Sequence, residues 1–495
     1  MKKVKKLDKY TKLSIIILIV GILLRFYLAS AHHIAGDACW QLSNSRFIAE
    51  NKKLPLFEQF GRDEPFWSPP LFHFVYAFVY IVFNGFGSNI AEFAVKLISP
   101  IFGSLALILS YLIAKKLFDK KIAFYSLLFM AVIPLHIDYS AFSYIDGMLT
   151  FLVALSVYLA LNNNIVSSAI VAGLAILTKY NGIFVLPVLL LIIYKNNRNQ
   201  KSKRLLTLLS VSLAIGSIWF IRNWYYLGNP VWPFMNSVFH GIEVETFTKT
   251  SVGSVNLSSL LNLSAISSVY LGIFGVPDGN IKALGFFSIP YINSLFYLWL
   301  LGTLIFISPF MLGFSRLKNK KLLLIWIASY VVLALLYVIN SSWSVSRFLL
   351  PAFPAVAMIW ASGLVKIKPN NFRKAFLLVI SLIIIGFVFA SVLKINLAAN
   401  AWKAYEKDFS WAKSSTDKDS TFMTNSQCVS FSINRQTYYP SAGNLDEADY
   451  AFVNQDFRLD RAAAIDNALL SQVKSNGRLV YKNEKTGTEV YRLRD

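Results

Sequence analysis

Residues 13–37 read LSIIILIVGILLRFYLASAHHIAGD, and this stretch decides the fold. Leu13 to Ala31 is an apolar run long enough to cross a bilayer, which takes roughly 17–25 helical residues. Lysines precede it and no clear cleavage site follows, so the run is expected to remain as an anchor with its N-terminus in the cytoplasm. Gly36 and Asp37 come just beyond it and open a large loop. An acid held at the bilayer surface suggests chemistry on something anchored in lipid.

The same pattern continues along the chain. It has 495 residues, 56% of them hydrophobic, and a mean hydropathy of +0.52. The net charge of +22 suggests nucleic acid at first sight. The cations, however, gather in short clusters between apolar runs, at residues 2–12, 115–121, 195–204, 316–321 and 366–374. That is the positive-inside pattern of a polytopic membrane protein, and nucleic-acid binding is set aside.

Putting every basic cluster on one side gives a topology. Spans are predicted at 13–31, 94–114, 122–137 and 147–161, then a helical hairpin of two short spans over 165–194. Further spans follow at 205–221, 292–312, 322–339, 348–364 and 375–393. The apolar segment 72–83 is too short to span and is expected as a surface helix in the first loop, residues 32–93. A second external loop covers 222–291. The expected fold is therefore an all-α polytopic membrane protein with about eleven spans and a large first external loop. Residues 1–393 form the transmembrane domain, and 394–495 an extracytoplasmic α/β domain with strands at 421–424, 450–453, 479–482 and 489–493 and a helix at 460–473. Cys39 and Cys428 build no disulfide framework; they are read as two unpaired small apolar residues, because pairing would require the tail to reach the first loop.

Several charged residues stand out against this background. Asp37 precedes a helical pattern, Ala38–Glu50, and reads both as its N-cap and as a general base whose carboxylate is held in place; the two roles are compatible. Asp146, in Phe142-Ser143-Tyr144-Ile145-Asp146-Gly147, faces the same side as Asp37, and reads as a solvated loop acid or a cap unless it has a direct role. His136 and Asp138 are nearby. Lys179 lies at the apex of the apolar hairpin, where a cation is costly and is either functional or snorkelling. Arg222 and Arg347 fall on the outer side, where charge-based orientation does not need them; phosphate, lipid head groups or ion pairs would explain them. Glu64 is a second acid in the first loop and a possible acceptor or metal contact. His240, with Glu243 and Glu245, marks the second loop as a candidate acceptor or metal contact or a solvated face.

In combination these motifs resemble the GT-C membrane glycosyltransferases, in particular the branch of protein O-mannosyltransferases and the lipid A aminoarabinose transferase. The resemblance rests on Gly36-Asp37, Pro69-Pro70-Leu71, Phe142 to Asp146, Leu177-Thr178-Lys179, Arg222-Asn223 with Gly228-Asn229-Pro230, and Arg347 to Pro351. It covers about residues 1–365, with the motifs in order along the chain. There are departures: Ala38 stands where many members have Glu, and Trp67-Ser68 where many have Glu-Lys. The Trp-Trp-Asp signature of oligosaccharyltransferases is absent.

The resemblance implies a GT-C fold and a catalytic base at Asp37, with Asp146 in support. It implies a polyprenyl-phosphate-linked sugar as donor, bound through Lys179, Arg222 and Arg347. The acceptor would be a protein, lipid or glycan outside the cytoplasm, at the plasma membrane or its equivalent, and transfer would invert the anomeric centre. No cofactor is required by the sequence, although a divalent metal is compatible with it. The alternatives are a polytopic lipid or sugar transporter or flippase without transfer chemistry, and a receptor whose tail is the binding module.

Overall fold

The computed structural model describes residues 8–58, 65–196, 200–243, 269–270, 272–274, 292–315, 317, 319–340, 346–424, 426–454 and 465–494. Each predicted span is helical. Helix α1 is Lys9–Ala31, opened by Asp8, whose side chain accepts from the Thr11 amide. Helices α2 (Asp37–Asn51), α3 (Leu71–Asn84) and α4 (Ser88–Lys96) build the first external loop and lead into α5 (Ile98–Leu117). Then follow α6 (Lys120–Val132), α7 (Pro134–Ala141), α8 (Ile145–Leu161) and the hairpin α9 (Ile165–Thr178)/α10 (Leu186–Asn196), joined by a 3-10 turn at Tyr180–Val185. Beyond it come α11 (Lys201–Leu227), α12 (Asn236–Phe239), α13 (Ile292–Phe314), α14 (Lys320–Asn340), a 3-10 turn at Ser346–Ala352, α15 (Phe353–Lys366) and α16 (Asn371–Lys403).

Among the described residues, five helical segments are long and apolar enough to cross a membrane: Lys9–Ala31, Ser88–Leu117, Lys201–Leu227, Ser346–Lys366 and Asn371–Asn400. The pair α6/α7 becomes a sixth if its 61° bend is taken within one span. Both hairpin arms, α3 and α8 are apolar but shorter. The large exposed side chains of all these helices, such as Ile16, Leu23, Phe78 and Leu382, are what a lipid-facing surface requires.

The bend between α6 and α7 has an identifiable cause. Pro134 opens α7, where its missing N–H costs nothing, but the last carbonyls of α6 are left without helical partners. Arg25, fully buried in the apolar run of α1, supplies the donors. It reaches Met130 O at 3.0 Å, Ala131 O at 3.3 Å and His136 Nδ1 at 2.7 Å. A cation inside a span is thus held by the break it repairs.

The tail begins with α17 (Glu406–Ser415) and contains β1 (Phe422–Thr424), α18 (Gln427–Ile433), β2 (Thr437–Tyr438), α19 (Ala442–Leu445), β3 (Tyr450–Val453), α20 (Asn467–Asn476), β4 (Arg478–Asn483) and β5 (Thr488–Arg492). The five strands form one sheet in the order β2-β1-β3-β5-β4. β1 runs parallel to β2 and β3, and the other pairs are antiparallel. The short β2 was not predicted; two residues are too few for an alternating pattern to show. Buried Asp408 ties α17 to the β4–β5 hairpin, accepting from Tyr481, Asn483, Thr486 and Thr488 at 2.6–2.7 Å.

One expectation fails here. Cys39 and Cys428 are joined by a disulfide. The tail does reach the first loop, because α18 packs on α2 and buried Arg46 of α2 donates to Phe431 O at 3.0 Å and Asn434 Oδ1 at 2.9 Å. Arg46 also meets Glu92 of α4 at 3.1 Å.

Candidate active site

The site starts at a backbone turn. Gly36 adopts φ +60° and ψ −141°, a conformation open to glycine but strained for other residues. A Cβ there would also fall 2.7 Å from the Tyr144 hydroxyl oxygen. Gly36 takes the N-cap position, which corrects the reading of Asp37 as the cap. Asp37 is the first residue of α2, and its carboxylate turns to Arg347, whose Nη1 donates to Oδ2 at 2.5 Å. This pair is partly open: the Asp37 side chain is 48% exposed and that of Arg347 26%.

A second ion pair lies beside it. Asp146 is the second residue of α8 and is fully buried, so it is not a solvated loop acid. Its Oδ1 accepts from Lys179 Nζ at 2.7 Å, while Oδ2 has no hydrogen-bond partner among the described residues. Lys179 is delivered by the hairpin, in extended conformation at the end of α9. The return stroke is tight. A Cβ at Gly182 would sit 2.3 Å from the Ala175 backbone, so only glycine lets the chain turn this closely behind the lysine.

The two pairs share a floor. The Phe348 ring lies 4.5 Å from Lys179 Nζ and 5.6 Å from the Arg347 guanidinium carbon, both within cation–π range. Tyr144 lies 5.7 Å from that carbon. Each cation also feels the other pair's carboxylate: Asp146 acts on Arg347, and Asp37 on Lys179. The cluster therefore holds two cations and two carboxylates, four of the residues singled out from sequence, drawn from α2, α8, the hairpin and the turn before α15.

Arg222 stands apart from these contacts. It lies inside α11, which extends past the predicted end of its span. Its nitrogens serve Phe66 O at 2.9 Å, Pro55 O at 3.3 Å and Asn223 Oδ1 at 2.9 Å, and the guanidinium lies over Trp219. It grips the first loop from the side. The connection to the cluster runs through Tyr180, next to Lys179, whose hydroxyl accepts from Asn223 Nδ2 at 2.8 Å and donates to Trp67 O or Trp232 O, each at 3.1 Å.

Asp138 pairs with Lys394 of α16 at 2.6 Å, and His136 with Arg25; both serve the bent span. His240 is exposed at the end of α12. Glu64 and Glu245 lie outside the described residues. Among the described residues no three His, Cys, Asp or Glu side chains converge as metal ligands do. The sequence reading missed Phe348, Tyr144 and Arg25. Arg25 carried a signal, since a guanidinium within an apolar span marks a partner nearby.

Residues 67–224 match the family model described as dolichyl-phosphate-mannose-protein mannosyltransferase, a stretch that includes Asp146, Lys179 and Arg222. The match spans about a third of the chain, and the fold is of the GT-C type. In structure the chain is similar over its length to ArnT from Cupriavidus metallidurans bound to undecaprenyl phosphate, with 15% identity, 97% of this chain and 98% of that one covered, and a TM-score of 0.64. The Archaeoglobus fulgidus oligosaccharyltransferase in its apo form is similar at 14% identity, with 97% and 74% covered and a TM-score of 0.56. The arabinofuranosyltransferase AftD from Mycobacteria is similar at 12% identity, with 99% and 40% covered and a TM-score of 0.53. No curated protein matches the chain by sequence.

Proposed function

We propose that the protein transfers a sugar from a polyprenyl phosphate to a hydroxyl or amine of an acceptor outside the cytoplasm. The observation that carries this reading is the cluster itself: a partly open carboxylate, Asp37, beside two cations over one aromatic floor. The similar ArnT structure holds undecaprenyl phosphate, which supports a lipid phosphate as the donor's carrier.

Asp37 takes the acceptor's proton as the acceptor oxygen or nitrogen attacks the anomeric carbon. The bond from that carbon to the phosphate oxygen breaks, and the lipid phosphate leaves with the electron pair. A single attack from the opposite face inverts the centre. Phosphate is a good leaving group, so the need is for fixed cations at the developing charge. Lys179 and Arg347 supply them, with Arg222 as an outer third. Asp146 holds Lys179 in place and orients the constellation, and His240 is a candidate acceptor contact. No step requires a metal, and a divalent ion stays compatible with the scheme.

Orientation follows from two supports. The basic clusters put the N-terminus in the cytoplasm. The Cys39–Cys428 bond, joining first loop and tail, suits an oxidising compartment, which supports a place outside the cytoplasm for both.

The test is transfer by purified protein from a synthetic polyprenyl-phosphate sugar. Asp37→Asn is expected to lower the rate by about 10²- to 10⁴-fold, the usual worth of a general base, with unchanged protein in the membrane. Undiminished transfer by that variant would overturn the mechanism. Mass spectrometry of lipid-linked sugars accumulating in cells that lack the protein would name the sugar and its carrier.

A further inference from the structure

We infer that Arg347 masks the base in the resting enzyme and that the donor's phosphate unmasks it: the anion draws Arg347 off Asp37, so the carboxylate becomes available only once donor is bound. This rests on the reading of Asp37 as base and of the cluster as a phosphate site.

The two ion pairs differ in how readily they open. Lys179–Asp146 is buried, with side-chain exposures of 16% and 1%, and separating it would leave a charge without water or partner. Arg347–Asp37 is partly open, at 26% and 48%, so water screens it more than it screens the buried pair. When one more anion enters, the open pair is the one that exchanges.

Donor capacity points the same way. A lysine ammonium carries three N–H donors, and Lys179 gives one to Asp146, so it can meet a phosphate without leaving its partner. Arg347 donates to Asp37 through Nη1, and a guanidinium can make a two-pronged grip on phosphate. The charge balance supports the exchange. Two cations and two carboxylates are neutral together, and an added phosphate leaves an excess of negative charge that the freed Asp37, nearer solvent, accommodates best. A guanidinium beside a carboxylate favours its charged form and makes it a weaker base. Until donor arrives, then, no acceptor is activated, and water is not either.

The exchange makes one counterintuitive prediction. If Arg347 must leave Asp37 to hold phosphate, removing the charge of Asp37 pre-releases it. Asp37→Asn, inert in transfer, should bind a sugar-free polyprenyl phosphate at least about fivefold more tightly than the unaltered protein, the lower end of ordinary coupling between sites. Calorimetry on the full-length protein in detergent reads this, with the melting temperature confirming that each variant is folded. Simple removal of a repelling charge could also tighten binding, so the same change is made in an Arg347→Gln background. Exchange predicts that the gain disappears there; simple repulsion predicts that it persists.

An unchanged or weakened affinity for Asp37→Asn, or an equal gain in both backgrounds, overturns the masking. Failure of the proposed function looks different, since Asp37→Asn would then keep its transfer activity whatever its affinity.

Discussion

Cys39 and Cys428 lie 389 residues apart and are bonded to one another, so the helix that begins with Asp37 is stapled to the tail domain. Cys39 is two positions from Asp37, and Cys428 is the second residue of the helix that packs on α2. The tail is thereby part of the scaffold that fixes the carboxylate.

This linkage can be read directly. A protease site inserted in the exposed turn at residues 417–419 should leave the tail attached after cleavage and release it only on reduction, as seen on gels with and without reductant. Replacing both cysteines by serine is expected to cost about 2–4 kcal/mol of stability, the usual worth of a disulfide. Release of the tail without reductant would show that the bond does not form.

Lys179→Gln strands the buried carboxylate of Asp146. A loss of about 3–5 kcal/mol is expected in denaturation, with transfer abolished. Adding Asp146→Asn should recover most of the stability and none of the transfer, which separates the lysine's structural role from its chemical one.

Gly36→Ala is expected to fail twice, through positive φ and through the approach of Cβ to Tyr144. Backbone strain of this kind costs about 1–3 kcal/mol. The larger effect should be on rate, because shifting a reacting group by about an ångström is enough to cost roughly 10²-fold. Tyr144→Phe in the same chain removes the clashing oxygen but not the strain, and should rescue transfer only in part.

Arg25→Leu removes the donors that satisfy the carbonyls of Met130 and Ala131 at the bend. Each buried carbonyl left alone costs about 1–3 kcal/mol. Thermal unfolding in detergent should show the drop, and Arg25→Lys should restore only part of it, since an ammonium lacks the planar fork that reaches several acceptors at once.

Much of this architecture was legible along the chain. The helices follow from local hydropathy and from the basic clusters between apolar runs, and both properties belong to short windows. Lys179 and Arg347 were visible as cations that the membrane or the charge rule could not explain, and Asp37 and Asp146 as acids beside the ends of apolar runs. Four of the five tail strands could be read from apolar alternation, and β2 was too short to leave a pattern.

The partnerships were not legible. Nothing near Asp37 says that Arg347, 310 residues away, will meet its carboxylate, or that Phe348 will lie beneath two cations at once. Cys39 and Cys428 looked like two lone thiols because their bond depends on where a separate domain docks. Hydrophobic periodicity and charge are properties of a few neighbouring residues, and the sequence carries them alone. Which opposite charges pair, which carboxylate is buried and which stays open are set by the packing of distant helices, and only the assembled fold decides them.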